Sequence, residues 1–221
     1  GRRSVAPHLF ALENFGVTIK ASTGRYDVTV AKKPAGDFVL YEQGNTVTNN
    51  ALLAAAGTVS ETVIQAASAD YMVQDLCLFL QKLGVKISGF GSTSLTIKGV
   101  HHIKKNITYA PTEDPIEAMF FISTAIVTNS KLTIKRVPFR WIGLELLKLK
   151  KMGVNYKFSK PYKADNGVID LADMTIEKHD GGLRALKDKL HPNLWPGVNP
   201  DCIPYFVPIA SVCKGRTLIH D

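Results

Sequence analysis

The sequence predicts an α/β fold of three related units around a pseudo-threefold axis, with apolar helices inside and sheets outside. Two observations lead to this prediction. A composite pattern of amphipathic helix, Gly-Val step and two strands occurs three times at nearly constant spacing. Near-constant spacing of such a pattern indicates structural repeats. Between the repeats run helices that are apolar on almost every side, and helices of that kind belong in an interior.

Three glycines mark the repeated pattern. Gly16, Gly84 and Gly153 lie 68 and 69 residues apart, and each follows an amphipathic helix and precedes a valine. A helix commonly ends on a left-handed residue, which glycine adopts without strain. We therefore expect a helix end at each glycine, followed by two strands. The expected strand pairs are 17–19 with 26–30, 84–87 with 94–97, and 153–156 with 168–171.

A second type of helix alternates with the first and is apolar nearly all round. The predicted helices of this type are Asn49–Val59, Asp114–Val127 and Asp201–Val212. A short strand is expected after each of them, at residues 62–64, 131–134 and 217–219. The third unit carries an insertion of about residues 174–195 that has no counterpart in the others.

Charge is concentrated in one segment of this basic chain, whose formal net charge is +8. Between Lys131 and Lys163 there is a single acid, Glu145. Such a segment suits nucleic acid or phosphorylated metabolites, or it forms a solvated face. No aromatic residues are interleaved in the manner of an RNA-binding motif. We therefore expect a solvated face and no nucleic-acid partner. The basic residues of this segment are Lys131, Lys135, Arg136, Arg140, Lys148, Lys150, Lys151, Lys157, Lys160 and Lys163.

Hydrophobicity and cysteine usage indicate the cellular compartment of the protein. The longest apolar stretches are too short and too interrupted to span a bilayer, so no membrane partner is expected. The three cysteines, Cys77, Cys202 and Cys213, lie in apolar runs without a CxxC spacing. This pattern favours reduced, packed thiols over disulfides or a metal site. We predict a cytoplasmic protein without a metal or another cofactor.

The apolar helices each begin at a residue type that caps helices: Asn49, Asp114 and Asp201. The run from Asp114 to Glu117 has a cap, a proline at the first helical position and an acid at the third. With threefold symmetry, these helix starts would open on one face and offer N–H groups to phosphates and carboxylates. The pattern leaves two interpretations of the two aspartates, as plain caps or as residues of a site.

Several runs resemble the UDP-N-acetylglucosamine 1-carboxyvinyltransferases, a family of enolpyruvyl transferases. Weaker similarity covers most of the chain and includes Gly1–Val5 with His8, Asp114 with Glu117, and Pro196-Gly197 with Asp201. The family has an inside-out fold of three repeats per domain, and two domains close over the substrates. The resemblance thus implies that residues 1–221 are one domain of a longer two-domain chain. The runs that resemble the family most strongly are residues 50–56, 65–68, 73–80, 83–91 and 95–100.

The resemblance implies transfer of enolpyruvate from phosphoenolpyruvate to the 3-hydroxyl of UDP-N-acetylglucosamine, the first committed step of peptidoglycan synthesis. Asp201 matches the acid assigned as general base, and Asp114 matches a second active-site acid. The chain would supply the nucleotide-sugar side of the cleft, with the second domain as its partner. The substrate-binding residues implied are Arg3, Ser4, Val5 and His8 along the uridine, Gly44, Asn45 and Thr46 at the diphosphate, and Glu117 beside Asp114.

Three departures from the family pattern concern recognition of the substrates. The acid that contacts uracil is replaced by Ala6, the lysine near the nucleotide by Glu42, and the arginine after the second acid by Pro115. They leave other interpretations open: an enolpyruvyl transferase with another acceptor, a non-catalytic binding module, or a relative of the RNA 3′-terminal phosphate cyclases. The family's reactive cysteine and its arginine for phosphoenolpyruvate fall outside these residues, so we expect the chain alone to be inactive.

Overall fold

The computed structural model describes residues 4–31 and 36–220. The chain folds into two compact units, Gly1–Tyr109 and Ala110–Asp221. Each unit has a hydrophobic core of its own. The single domain over residues 1–221 stays a prediction. No helix in the described ranges is long and apolar enough to cross a membrane.

The first unit holds a two-stranded sheet, β1-β2, and a four-stranded sheet in the order β3-β4-β6-β5. Its core gathers buried residues of α2 and α3, including Leu52 and Cys77, under the larger sheet. The elements are α1 (Ala6–Glu13), β1 (Val17–Ser22), β2 (Arg25–Val30), β3 (Phe38–Val39), α2 (Asn45–Ala56), β4 (Glu61–Gln65), α3 (Tyr71–Lys82), β5 (Lys86–Ser88) and β6 (Ser94–Lys98).

The second unit holds one four-stranded sheet in the order β7-β10-β8, with β9 also paired to β10. Its core combines α4, α5 and α6, and Met119, Leu149 and Phe206 are almost fully buried. The elements are α4 (Pro115–Val127), β7 (Leu132–Val137), α5 (Gly143–Lys151), β8 (Tyr156–Phe158), β9 (Tyr162–Lys163), β10 (Asp170–Ile176), a 3₁₀ turn (Pro200–Cys202) and α6 (Ile203–Ser211).

The predicted repeat appears in the order of elements and in the pairing of strands. An apolar helix, a strand, an amphipathic helix and a strand pair follow one another as α2-β4-α3-β5-β6 and again as α4-β7-α5-β8-β10, where the short strand β9 lies between β8 and β10. In both series the strand after the apolar helix pairs antiparallel with the last strand, which also pairs antiparallel with the strand after the amphipathic helix. The glycine positions are confirmed as well. Gly16, Gly84 and Gly153 have φ of 79°, 103° and 95°.

The burial predicted for the apolar helices is partly wrong, because each leaves one apolar side exposed. Leu53 of α2, Phe120 and Phe121 of α4, and Val207 of α6 are 53%, 48%, 40% and 53% exposed. The opposite sides of these helices are buried in their own unit's core. A helix without a polar side needs neighbours all round, and the described elements of the same unit cover these side chains only in part.

Two of the three predicted helix starts are also wrong. The helix α2 begins at Asn45, with Gly44 as its N-cap, so Asn49 lies inside it. Asp201 lies within the 3₁₀ turn, whose N-cap is Asn199. Only Asp114 caps its helix as predicted. The strand expected at residues 217–219 is reduced to one isolated bridge between Leu190 and Ile219.

Candidate functional site

The first turn of α2 contains the three residues predicted at the diphosphate. Gly44 O accepts from both the amide and the hydroxyl of Thr48, at 3.0 and 2.7 Å. Asn45 Oδ1 accepts from the Ser68 hydroxyl at 2.5 Å, which ties the helix start to the loop after β4. Thr46 is exposed. The N–H groups of a first turn have no acceptor within the helix, so this end of α2 presents donors.

A carboxylate stands at the same helix start. A Cβ placed on Gly44 would lie 3.0 Å from Glu42 Oε1, so the Glu42 side chain folds back over the cap position. A negative charge there is favourable for the helix dipole, but it opposes an anionic ligand that uses the same N–H groups. The departure seen in the sequence at Glu42 is therefore located at the turn predicted to bind the diphosphate.

The residues predicted along the uridine lie at the start of α1, apart from Arg3, which is outside the described residues. The Ser4 hydroxyl accepts from Ala6 N at 3.2 Å, and Val5 holds the N-cap position and is 45% exposed. His8 Nδ1 lies 2.7 Å from the amide nitrogen of Asn50 on α2. Because an amide nitrogen only donates, Nδ1 accepts and neutral His8 carries its proton on Nε2. The structure thus joins α1 to the second turn of α2.

The start of α4 forms a cavity of about 290 Å³ in the second unit. Asp114 Oδ1 caps the helix by accepting from Ile116 N at 2.8 Å, and Glu117 is exposed one turn further on. Both Asp114 and Glu117 line the cavity. The other lining residues are Glu113, Ala118, Phe121, Ile134, Lys135 and Arg136.

Arg136 brings positive charge to this cavity. Its Nε donates to Glu113 Oε1 at 2.8 Å, its Nη2 donates to the same oxygen, and Nη2 lies 3.1 Å from Asp165 Oδ2. The hydrogen bond and charge of Glu113 raise the pKa of Arg136, so the guanidinium stays charged. Arg136 has a φ of 60°, and its N–H donates to Asp173 Oδ1 at 3.1 Å. No signal in the sequence pointed to this cluster, because its members are distant in the chain.

Asp201 lies in the 3₁₀ turn that precedes α6. Its backbone N–H donates to Asn199 Oδ1 at 2.8 Å, and its side chain is exposed. Within residues 4–31 and 36–220, its carboxylate accepts no hydrogen bond and forms no ion pair. The 3₁₀ turn contacts α4, so Asp201 is on an element that packs against the helix capped by Asp114.

Glu145 is a buried acid behind this turn. It is 1% exposed, and its Oε1 accepts from Asn199 N at 2.8 Å. Burial raises the pKa of Glu145, while the hydrogen bond from Asn199 and the charge of Lys148 act in the opposite direction. Neither Glu145 nor Asn199 was predicted as a site residue. The only sequence signal was the isolation of Glu145 among basic residues.

Half of the ten cations of the basic segment 131–163 form ion pairs, mostly with acids that follow the segment. Five of its cations, Lys131, Arg136, Arg140, Lys157 and Lys163, form ion pairs with carboxylates from Glu113 and from residues 165–177. These pairs are mostly exposed to solvent, where each contributes little to stability. The arrangement is that of a solvated surface.

Comparison with known proteins shows the family to which this chain belongs. A family model described as EPSP synthase (3-phosphoshikimate 1-carboxyvinyltransferase) matches residues 1–186. The chain belongs to the EPSP synthase family. The predicted relationship to the enolpyruvyl transferases is therefore confirmed.

Curated relatives within the EPSP synthase family carry the name UDP-N-acetylglucosamine 1-carboxyvinyltransferase. The protein of that name from Bacteroides thetaiotaomicron is 30% identical over 225 residues, which cover 100% of this chain and 50% of that protein. The one from Vesicomyosocius okutanii is 35% identical over 222 residues, with 100% and 49% covered. The chain spans about half the length of the curated relatives it matches.

Solved structures confirm the fold class. The enolpyruvyl transferase NikO from Streptomyces tendae superposes with a TM-score of 0.80 at 19% identity, over 97% of this chain and 52% of that one. An EPSP synthase from Acinetobacter baumannii gives a TM-score of 0.65 at 18% identity, over 98% and 48%. The predicted α/β fold of the enolpyruvyl transferases is thus correct.

Proposed function

We propose that the protein to which this chain belongs transfers enolpyruvate from phosphoenolpyruvate to the 3-hydroxyl of UDP-N-acetylglucosamine and releases phosphate. The observation that carries the proposal is the match of the whole chain, at about 30% identity, to relatives that bear the name of this activity. A second domain as partner belongs to the same proposal, since the chain covers half of those relatives. A cytoplasmic location is proposed with it.

In this proposal, Asp201 is the general base. Its carboxylate is exposed and is not engaged by another described side chain, so it is available to a hydroxyl of the acceptor. As the acceptor oxygen bonds to C2 of phosphoenolpyruvate, Asp201 takes the hydroxyl proton and a proton adds to C3. Loss of a proton from C3 and of phosphate from C2 then restores the double bond and completes the transfer. An exposed carboxylate is a weak base, so the bound substrates must shield Asp201 from water for this role.

Asp114 and Glu117 are proposed to border the transferred group from the start of α4. The cavity there also contains Lys135 and Arg136. Arg136 is already ion-paired with Glu113 and Asp165, whereas Lys135 forms no ion pair within the described residues. Phosphoenolpyruvate is anionic, and cations beside a helix N-terminus favour anions. Lys135 is therefore proposed to replace the family arginine whose position is occupied by Pro115.

The first unit is proposed to bind the nucleotide sugar. Ser4, Val5 and His8 would follow the uridine, together with Arg3, and the first turn of α2 would meet the diphosphate with its N–H groups. The support is the clustering of these residues at the starts of α1 and α2, with His8 fixed by Asn50. A first helical turn is suited to phosphate oxygens.

One observation favours a second candidate, an enolpyruvyl transferase with an acceptor that lacks a diphosphate. The carboxylate of Glu42 folds over Gly44, at the turn that a diphosphate would use. A neutral or singly phosphorylated acceptor would meet less repulsion there.

Phosphate release separates the two candidates. The full-length protein is incubated with phosphoenolpyruvate and either UDP-N-acetylglucosamine or shikimate 3-phosphate. Release with the nucleotide sugar alone supports the first candidate, and release with shikimate 3-phosphate alone supports the second. Release with neither acceptor contradicts the first candidate and rules out shikimate 3-phosphate as the acceptor of the second. The 221-residue chain by itself is expected to give no turnover above a buffer blank, because it contains half of the length of its relatives.

A further inference from the structure

The isolated acid of the basic segment has an unexpected position. Glu145 is 1% exposed, although it belongs to a stretch whose basic residues are mostly on the surface. It lies in the first turn of α5, among the apolar side chains of Ile142, Leu146 and Leu149. A carboxylate is costly to bury unless hydrogen bonds replace its contacts with water. The buried carboxylate of Glu145 therefore needs hydrogen-bond donors within the protein.

Two hydrogen bonds connect Glu145 to the backbone of Asp201. Glu145 Oε1 accepts from the N–H of Asn199, 54 residues away in the sequence, at 2.8 Å. The side-chain oxygen of Asn199 accepts from the N–H of Asp201 at 2.8 Å. The backbone carbonyl of Asn199 accepts from Cys202 N at 2.9 Å. Both the start and the direction of the 3₁₀ turn are thereby fixed from the core.

We propose that Glu145 is a positioning residue for Asp201, acting through Asn199. This inference rests on the proposed function, in which Asp201 is the general base. Asp201 is itself exposed and has no side-chain partner in the described ranges, so its location depends on the backbone of its turn. Glu145 is the buried group that holds that backbone. Small displacements of a catalytic group reduce rates strongly, since about 1 Å can cost ~10²-fold.

The test compares two substitutions at Glu145 in the full-length protein. Glu145→Gln keeps an oxygen for the N–H of Asn199 and should retain kcat within about 3-fold. Glu145→Leu removes the acceptor, and kcat should fall by about 10- to 100-fold with KM for either substrate changed far less. Ile142→Val, a change to a neighbouring core residue, is the control for a general loss of stability. It should lower the melting temperature without lowering kcat.

A second pair of variants covers the case in which Glu145→Leu does not fold. Asn199→Ala removes the acceptor for the Asp201 N–H at the surface, whereas Asn199→Ser keeps a capping oxygen. The alanine variant should lose about 10-fold or more in kcat, and the serine variant should recover most of it. Such a rescue would support positioning.

The two failures are distinguishable by including Asp201→Asn. If this variant is fully active, the proposed base and this inference are both overturned. If it is inactive while Asn199→Ala and a folded Glu145→Leu keep the wild-type kcat, the proposed function stands. In that case Glu145 contributes to folding alone and the positioning role is wrong.

Discussion

Substitution of Asp201 separates catalysis from stability more sharply than the sequence had indicated. A capping aspartate would be replaced well by asparagine and poorly by alanine. In the structure, however, Asn199 caps the 3₁₀ turn, and the Asp201 carboxylate is exposed without a described hydrogen bond. Asp201→Asn and Asp201→Ala should therefore have nearly the same stability.

The magnitudes follow from which interactions each change removes. A capping side chain contributes about 1 kcal/mol, and here that contribution belongs to Asn199. Both Asp201 variants lose the same charge near a helix start, a term of about 0.3–1 kcal/mol that cancels between them. Loss of a general base costs ~10²–10⁴-fold in rate, or about 2.7–5.4 kcal/mol of barrier. Activity and stability should thus be affected independently.

The assay is phosphate release by the full-length protein, with melting temperatures measured for the same preparations. Both Asp201 variants should lose ~10²–10⁴-fold in kcat, and their melting temperatures should agree within the error of the measurement. The matched control is Asn199→Ala, which removes the cap and should lower the melting temperature. Full activity of Asp201→Asn would refute the catalytic role. A clear stability gap between the two Asp201 variants would refute the assignment of the cap to Asn199.

Three further predictions test other parts of the structure. Glu42→Lys should lower KM for UDP-N-acetylglucosamine by at least about 5-fold, and high salt should reduce this effect. The control Glu61→Lys, on the same unit, should leave KM unchanged. An unchanged KM in Glu42→Lys would contradict electrostatic repulsion of the diphosphate at Gly44. Gly84→Ala should destabilise by about 1–2 kcal/mol in urea unfolding, because Gly84 has φ 103° with no atom nearer than 3.8 Å to an added Cβ. The control Gly57→Ala, at φ −86°, should be nearly neutral, and equal losses would disprove the backbone explanation. Burial raises the pKa of folded Glu145 above its ordinary 4.5, so this group stabilises the protein below that pH and loses the contribution as pH rises through the folded pKa. The melting temperature of Glu145→Gln minus that of wild type should therefore increase as the pH rises from about 4 to 8. A difference that stays constant over this range would show that Glu145 does not titrate there.

Helix ends were predicted well, whereas two of the three helix starts were not. A left-handed residue is a local requirement that glycine signals directly, and φ at Gly16, Gly84 and Gly153 confirms it. A helix start is less local. The helix α2 begins at Asn45, whose side chain accepts a hydrogen bond from Ser68, 23 residues away. A neighbour that distant cannot be recognised from the residues around Asn49.

The burial of the apolar helices shows a similar limit. Composition indicates that Phe120 and Phe121 avoid water, and a helix with apolar residues on all sides is expected in an interior. Burial also requires neighbouring elements on each side. In the second unit, α4 packs on α6, β7 and β10, yet these two rings remain 48% and 40% exposed. The apolar pattern therefore predicted that these side chains favour a buried environment. The described elements of their unit bury them only in part.

The same distinction explains why the sequence indicated the two acids of the proposed site but not the group behind them. Asp114 and Asp201 were found through a helix-start pattern and through resemblance, both of which are readable along the chain. Glu145 was visible only as the one acid among basic residues, a pattern that is typical of an exposed ion pair. Its contact with Asn199 joins positions 54 residues apart, and only the fold brings them to 2.8 Å. Residues that hold a reactive group from the core are selected by three-dimensional contact, so they are the part of a site that a single sequence reveals least.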